Sequence, residues 1–189
     1  MKILVISQPK SGTYLCANIL QNLGYEFTYM HISARAYDKY DPNNLKQGRR
    51  HPAHFRHNAT MQESAALIQD NQFAVGHIDY SDKAEDIFKD FKKIVLYRNP
   101  REAAESWNRW KEESGRSMAI KKSVPNAKIL EWQNRENTMT LNFDDMVNKN
   151  TQKIDALQFF LLNELKYNSQ DIIEKSLAQD SLTKSSVRC

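Results

Sequence analysis

The five residues Pro9-Lys10-Ser11-Gly12-Thr13 put a mobile cation, two hydroxyl donors and one glycine into a single short stretch. The apolar run Lys2-Ile-Leu-Val-Ile-Ser7 precedes them, and Leu15, Ile19 and Leu23 follow at helical spacing, stopped by Gly24. A loop between a buried strand and a helix N-terminus offers unpaired backbone N–H groups and the positive end of a dipole, which together bind anions. Gly12 permits close backbone approach, Ser11 and Thr13 donate to oxygens, and Lys10 brings charge, so the chemistry is that of a phosphate cradle. The stretch is not a Walker A loop, because its lysine precedes its only glycine. An ordinary strand-to-helix turn uses the same residue types, so the loop does not decide the matter alone.

A second strand end narrows the choice. The run Lys93-Ile-Val-Leu-Tyr97 ends in Arg98, where a Walker-type enzyme would carry an Asp that helps hold Mg²⁺. A cation at that place calls for an anion. Asn99 as N-cap, Pro100 at the first helical position and Glu102 at the third predict a capping box and a helix, on which Ser106 follows. Arg98, Ser106 and the dipole of this helix can converge on a phosphate. The alternative is that Arg98 pairs with a carboxylate and Ser106 is a plain helix residue. Two phosphate-type loops at two strand ends favour a doubly phosphorylated nucleotide.

The elements that must position these residues read as alternating strands and helices. A second strand is expected over 25–32, then a long polar loop around 34–58. Thr60 with Glu63 predicts a capping box and a helix through Ile68, the run Phe73 to Ile78 a strand, and Lys83 to Phe91 a helix. Thr138 to Phe143 alternates like a strand, and Ile154, Leu157, Leu161 and Leu165 mark a later helix. The order implies one α/β domain over residues 1–189 with a mainly parallel central sheet flanked by helices.

The chain of 189 residues carries a formal charge of +4, which suits an anionic ligand and falls short of the basic density of a nucleic-acid binder. Its two cysteines, Cys16 and Cys189, suggest neither a disulfide framework nor a zinc site. With no signal-like or membrane-spanning run, the expectation is a cytoplasmic protein with no membrane or nucleic-acid partner.

Taken together, these motifs resemble the family of sulfotransferases that use 3′-phosphoadenosine 5′-phosphosulfate (PAPS). Pro9 to Thr13 repeat the family's 5′-phosphosulfate loop, and Arg98-Asn99-Pro100 with Ser106 repeat its 3′-phosphate segment. His77, in Val75-Gly76-His77, stands where the family has its general base, and Leu141 to Met146 look like its strand-end aromatic-acidic segment. The resemblance implies a three-layer P-loop NTPase-like fold, PAPS as sulfuryl donor, PAP as product and no metal. It implies His77 and Lys10 as the catalytic groups. It implies Lys10, Ser11, Gly12, Thr13, Tyr14, Arg98 and Ser106 as cofactor contacts. It implies an acceptor hydroxyl or amine, on a small molecule or glycan that the sequence does not identify. Tyr14-Leu15 stand where Thr-Trp is common, and the chain lacks a recognisable copy of the basic, Gly-containing segment that closes the family's 3′-phosphate site. Lys184 to Arg188 are where such a lid would begin.

His51, His54 and His57 are three apart but interrupted by Pro52, which favours a solvated loop over a metal site; Arg49, Arg50 and Arg56 beside them would suit an anionic acceptor. Trp107, Trp110 and Trp132 line either an acceptor pocket or the core. Asp144 and Asp145 read as structural or capping groups. The competing functions are a non-catalytic PAP binder and a nucleotide kinase.

Overall fold

The computed structural model describes residues 1–33, 60–113, 115 and 119–186. The chain begins with β1 (Lys2–Ser7), α1 (Thr13–Asn22) and β2 (Glu26–Ser33), and resumes with α2 (Met61–Leu67), β3 (Gln72–His77) and α3 (Asp82–Ile87). β4 (Phe91–Tyr97), α4 (Pro100–Glu113), α5 (Ala127–Leu130), a 3₁₀ turn (Glu131–Asn134) and β5 (Thr138–Asn142) follow. Three helices complete it: α6 (Phe143–Val147), α7 (Thr151–Leu162) and α8 (Ser169–Ser186).

The strands form one sheet in the order β2-β3-β1-β4-β5, and every pairing is parallel. β1 shows why. Ile3, Leu4, Val5 and Ile6 are all fully buried, Ile3 and Val5 in one core and Leu4 and Ile6 in the other. Only a central strand covered on both faces accommodates such a run. The first core joins the sheet to α1, α7 and α8, through residues such as Leu15, Ile19, Ile154, Leu157 and Ile173. The second joins it to Ala65 of α2, Ala84 of α3, Ile129 of α5 and Trp132 of the 3₁₀ turn. These are the three layers that the sequence implied.

Parallel pairing brings the carboxyl ends of all five strands to one edge. There the chain leaves β1 for a helix on one face, while the connection from its neighbour β4 packs Ile129 and Trp132 on the opposite face. Adjacent strands whose connections part in this way leave a crevice between them, the usual ligand site of open α/β sheets. The loop of Lys10 to Thr13 and the turn at Arg98 stand on its two sides.

Some boundaries differ from the sequence expectations. The helix expected over Lys83 to Phe91 ends at Ile87, because Phe91 is drawn into β4, buried and in register with Lys2. Leu165 lies beyond α7, which Asn163 terminates in the left-handed conformation (φ 60), and is 53 % exposed. α8 was not expected; its Ile172, Ile173 and Ser176 are buried, and Asn22 of α1 donates to Ser176 Oγ at 2.9 Å. The long loop read around 34–58 lies outside the described residues, as do Val187 to Cys189.

Candidate functional site

The cradle is built where β1 gives way to α1. Gly12 is the N-cap of α1, adopts φ 83, and supplies no side chain to the helix end, so the first-turn N–H groups keep no side-chain cap. A Cβ at Gly12 would lie 2.6 Å from Cδ2 of Phe143, so both the conformation and the space require glycine. Lys10 also has a positive φ (67), a conformation costing about 1–2 kcal/mol for a residue with a Cβ. A specific contact meets that demand: Nη1 of Arg98 donates to the Lys10 carbonyl oxygen at 2.9 Å.

Arg98 is therefore placed by the fold at the cradle itself. Its guanidinium stacks 4.1 Å from the ring centroid of Phe143, at the carboxyl end of β5, and its Nε is 3.7 Å from Glu102 of α4. Gln8 reaches across to donate to the Arg98 carbonyl oxygen at 2.9 Å. The expected capping box at Asn99 forms only in half. Asn99 Oδ1 accepts from the Arg101 N–H at 3.0 Å, while the Glu102 carboxylate turns to Arg98. Ser106, half-buried, lies one helical turn beyond Glu102. Tyr14, also half-buried, is the second residue of α1.

His77 closes β3. Gly76 before it allows the close approach of β2, since a Cβ there would lie 2.6 Å from the Ile32 carbonyl oxygen. The His77 Nδ1–H donates to the Ser7 carbonyl oxygen at 2.7 Å, which leaves Nε2 with its lone pair. Ser7 Oγ lies 3.3 Å from the same Nδ1 and 2.7 Å from Thr13 Oγ1, so one serine ties the histidine to the cradle. Burial, with a smaller contribution from the neighbouring His31 ring at 4.5 Å, holds the His77 imidazole down at a pKa of about 3. The backbone bond from Ser7 opposes this, and the charge of Lys121 adds to it. The imidazole is neutral at physiological pH.

The buried polar atoms that lack a hydrogen-bond partner among the described residues are Gln8 Oε1, Ser11 Oγ, Arg98 Nε and Trp107 Nε1. Gln8, Ser11 and Arg98 border the cradle, and Trp107 stands on α4 one turn from Trp110, over whose ring Lys10 Nζ is held at 4.3 Å. Buried polar groups ordinarily make hydrogen bonds, so groups lacking one at a single crevice are what a polar ligand would satisfy, even where Arg98 Nε keeps its longer ion pair with Glu102.

Sequence reasoning missed three of these participants. In the sequence Phe143 is one residue of an aromatic-acidic segment; its role as the wall against Gly12 and Arg98 depends on β5 lying beside β4. Gln8 and Ser7 flank the motif and carried no signal beyond that adjacency. Trp132 is fully buried and donates to the Ile78 carbonyl oxygen at 3.0 Å, so it belongs to the core. Asp145 accepts from Asn150 at 2.9 Å and Asn142 caps Asp144 N–H, both structural arrangements. Cys16 is buried, which pushes its thiol up to about 12 and leaves it inert. His51, His54, His57, Arg49, Arg50 and Arg56 lie outside the described residues. Among the described residues no group of three His, Cys, Asp or Glu could hold a metal ion, and no helix is long and apolar enough to cross a membrane.

The comparisons with known proteins converge. A family model described as the sulfotransferase domain matches residues 1–188. A mouse sulfotransferase complexed with PAP superposes with a TM-score of 0.57 at 15% identity, covering 92% of this chain and 63% of that one. A retinol dehydratase in complex with androsterone and PAP gives 0.61 at 14%, covering 93% and 64%. A sulfotransferase domain from the curacin biosynthetic pathway gives 0.55 at 17%, covering 89% and 75%. The chain thus spans less than two thirds of the length of the first two. Comparison with curated protein sequences gives no match.

Proposed function

Because the chain belongs to the sulfotransferase domain family, we propose that it transfers a sulfuryl group from PAPS to a hydroxyl or amine of a small-molecule or glycan acceptor, in line and without a metal ion. The observation that carries this reading is that two buried donors without a hydrogen bond, Ser11 Oγ and Arg98 Nε, stand beside a glycine-capped helix end. A nucleotide with phosphates at both its 3′ and 5′ positions has the oxygens to satisfy them. Structural neighbours crystallised with PAP, the mouse sulfotransferase and the retinol dehydratase among them, support the same donor.

PAPS supplies an activated sulfuryl group; the chain's own residues bind, orient and move a proton. Lys10, Ser11, Gly12 and Thr13 would hold the 5′ side, with the first-turn N–H groups of α1 behind them. Arg98 and Ser106 would hold the 3′-phosphate, and Tyr14, beside the cradle, would meet the base. His77 would take the acceptor proton on Nε2, since its Nδ1–H is committed to Ser7. A pKa of about 3 makes a weak base, but anions entering beside the ring favour its protonated form and raise its basicity when donor is bound. Lys10 would balance charge developing on the leaving oxygen.

The test is incubation with labelled PAPS and a panel of phenols, alcohols, amines and sugars, following acceptor-dependent PAP release. Turnover with any acceptor, lost in His77→Ala, supports transfer; PAP binding with no transfer to any of them makes the chain a nucleotide binder.

A further inference from the structure

The segment after α4 doubles back along that helix. Val124 N–H donates to the Pro100 carbonyl oxygen at 3.0 Å. The Asn108 side chain clips the main chain of Lys121 from both sides, accepting from its N–H at 2.9 Å and donating to its carbonyl oxygen at 2.8 Å. Residues 119, 120, 122 and 123 are exposed, and Lys121 between them is half-buried. A lysine turned inward from an exposed segment, with its backbone pinned at two points, has a position set by the fold.

Its ammonium lies 3.8 Å from the ring centroid of Trp107, and no carboxylate among the described residues pairs with it. Trp107 is 5.4 Å from Trp110, which in turn carries Lys10 Nζ at 4.3 Å. Two lysines thus ride on two adjacent indoles, one from the cradle and one from the returning segment. Each indole presents a face to a cation, so the pair serves less as a stacking platform for an acceptor than as a mount for charge. The Lys121 charge also reaches His77, where it opposes protonation of the ring. Trp107 Nε1, buried and unpaired, is a further donor beside it.

We infer that Lys121 is a second cation of the transfer site beside Lys10, with Trp107 and Trp110 aiming the two ammonium groups at the sulfuryl group in transfer. The inference rests on the sulfotransferase reading of the crevice. Lys10 belongs to the cradle and so to the donor, whereas Lys121 comes from the returning segment and meets the group being passed on. Two cations spread charge over the sulfuryl oxygens more evenly than one.

Inorganic sulfate, titrated into protein saturated with PAP, probes this position apart from the nucleotide phosphates. Lys121→Ala should weaken sulfate binding by about tenfold or more, and Lys121→Arg should retain most of it. PAP affinity should stay nearly unchanged in both. Lys121→Met, which keeps the bulk against Trp107, should match the alanine variant and so separates charge from packing. In the PAP-bound alanine variant the His77 imidazole, followed by NMR, should titrate higher than in the PAP-bound parent. Equal sulfate affinity in the parent and both neutral variants, or no sulfate binding to the PAP-loaded parent, overturns the role of Lys121. Failure of the parent to bind PAP at all instead overturns the nucleotide reading on which the inference stands.

Discussion

The His77 Nδ1–H bonds to the main-chain carbonyl oxygen of Ser7 at 2.7 Å, and Ser7 Oγ continues at 2.7 Å to Thr13 in the cradle. The group assigned to the acceptor and the loop assigned to the donor are therefore joined through one residue of β1. That connection fixes the tautomer of the imidazole and, with it, which nitrogen can take a proton. His77→Ala should lower turnover by about a hundredfold or more with little change in PAP affinity. His77→Gln, which can keep the bond to Ser7 but not take the proton, should be equally slow. Steady-state kinetics beside calorimetric PAP titration checks this; a variant with normal turnover would move the base elsewhere.

The same histidine predicts an acid sensitivity. Its folded pKa, about 3, lies below the ordinary 6.5, so the unfolded chain binds more protons than the fold between those values. The stabilisation is fully present above pH 6.5 and is lost as pH falls from there toward 3, with a slope approaching about 1.4 kcal/mol per pH unit. Denaturant midpoints measured from pH 7.5 to 4 should fall more steeply for the parent than for His77→Gln. Binding of PAP, an anion, should shift the His77 titration upward, because negative charge beside the ring favours the imidazolium.

Gly12 is expected to tolerate no side chain. Gly12→Ala combines a left-handed backbone (φ 83) with a Cβ 2.6 Å from the Phe143 ring, and should cost about 1–3 kcal/mol of stability along with PAP affinity. Adding Phe143→Ala to it should recover part of the stability by opening space. It should not recover PAP affinity, since the Arg98 guanidinium loses the ring it stacks on. Thermal unfolding and PAP titration of the single and double variants separate the two effects.

Arg98 and Ser106 should fail differently. Arg98 Nη1 holds the Lys10 carbonyl oxygen, so Arg98→Ala should weaken AMP as well as PAP while reducing the preference between them. Ser106 makes no such brace; Ser106→Ala should leave AMP affinity alone and reduce PAP affinity by a few fold, the worth of about 0.5–1.5 kcal/mol for one hydrogen bond. An Arg98 variant that loses only the preference would mean that the cradle holds its shape unaided.

These distinctions show where the sequence was legible. The reciprocal bonds of Thr60 and Glu63 form as their spacing predicts, with Thr60 N–H donating to Glu63 at 2.7 Å and Glu63 N–H to Thr60 Oγ1 at 3.2 Å, because both partners are local. The same pattern at Asn99 and Glu102 half-fails, because Arg98 offers the carboxylate a charged partner that a bare helix end does not. The strands could be read from continuous apolar runs, and their carboxyl ends located the cradle, Arg98 and His77 together. Phe143 and Lys121 could not be placed, since each depends on how a later element packs against an earlier one. Leu165 matched the helical period but fell past the residue that ends the helix.

The central claim is that one crevice reads phosphate groups at both ends of an adenosine nucleotide, and comparative calorimetry with PAP and AMP in EDTA tests it most directly. The nucleotides share the 5′-phosphate and the base, so their difference isolates the 3′-phosphate that Arg98 and Ser106 are assigned to hold. A charge-assisted contact is worth about 1.5–3 kcal/mol, so PAP should bind about 10- to 100-fold more tightly than AMP. Equal affinities for the two, or PAP binding that appears only when Mg²⁺ is added, would contradict the account.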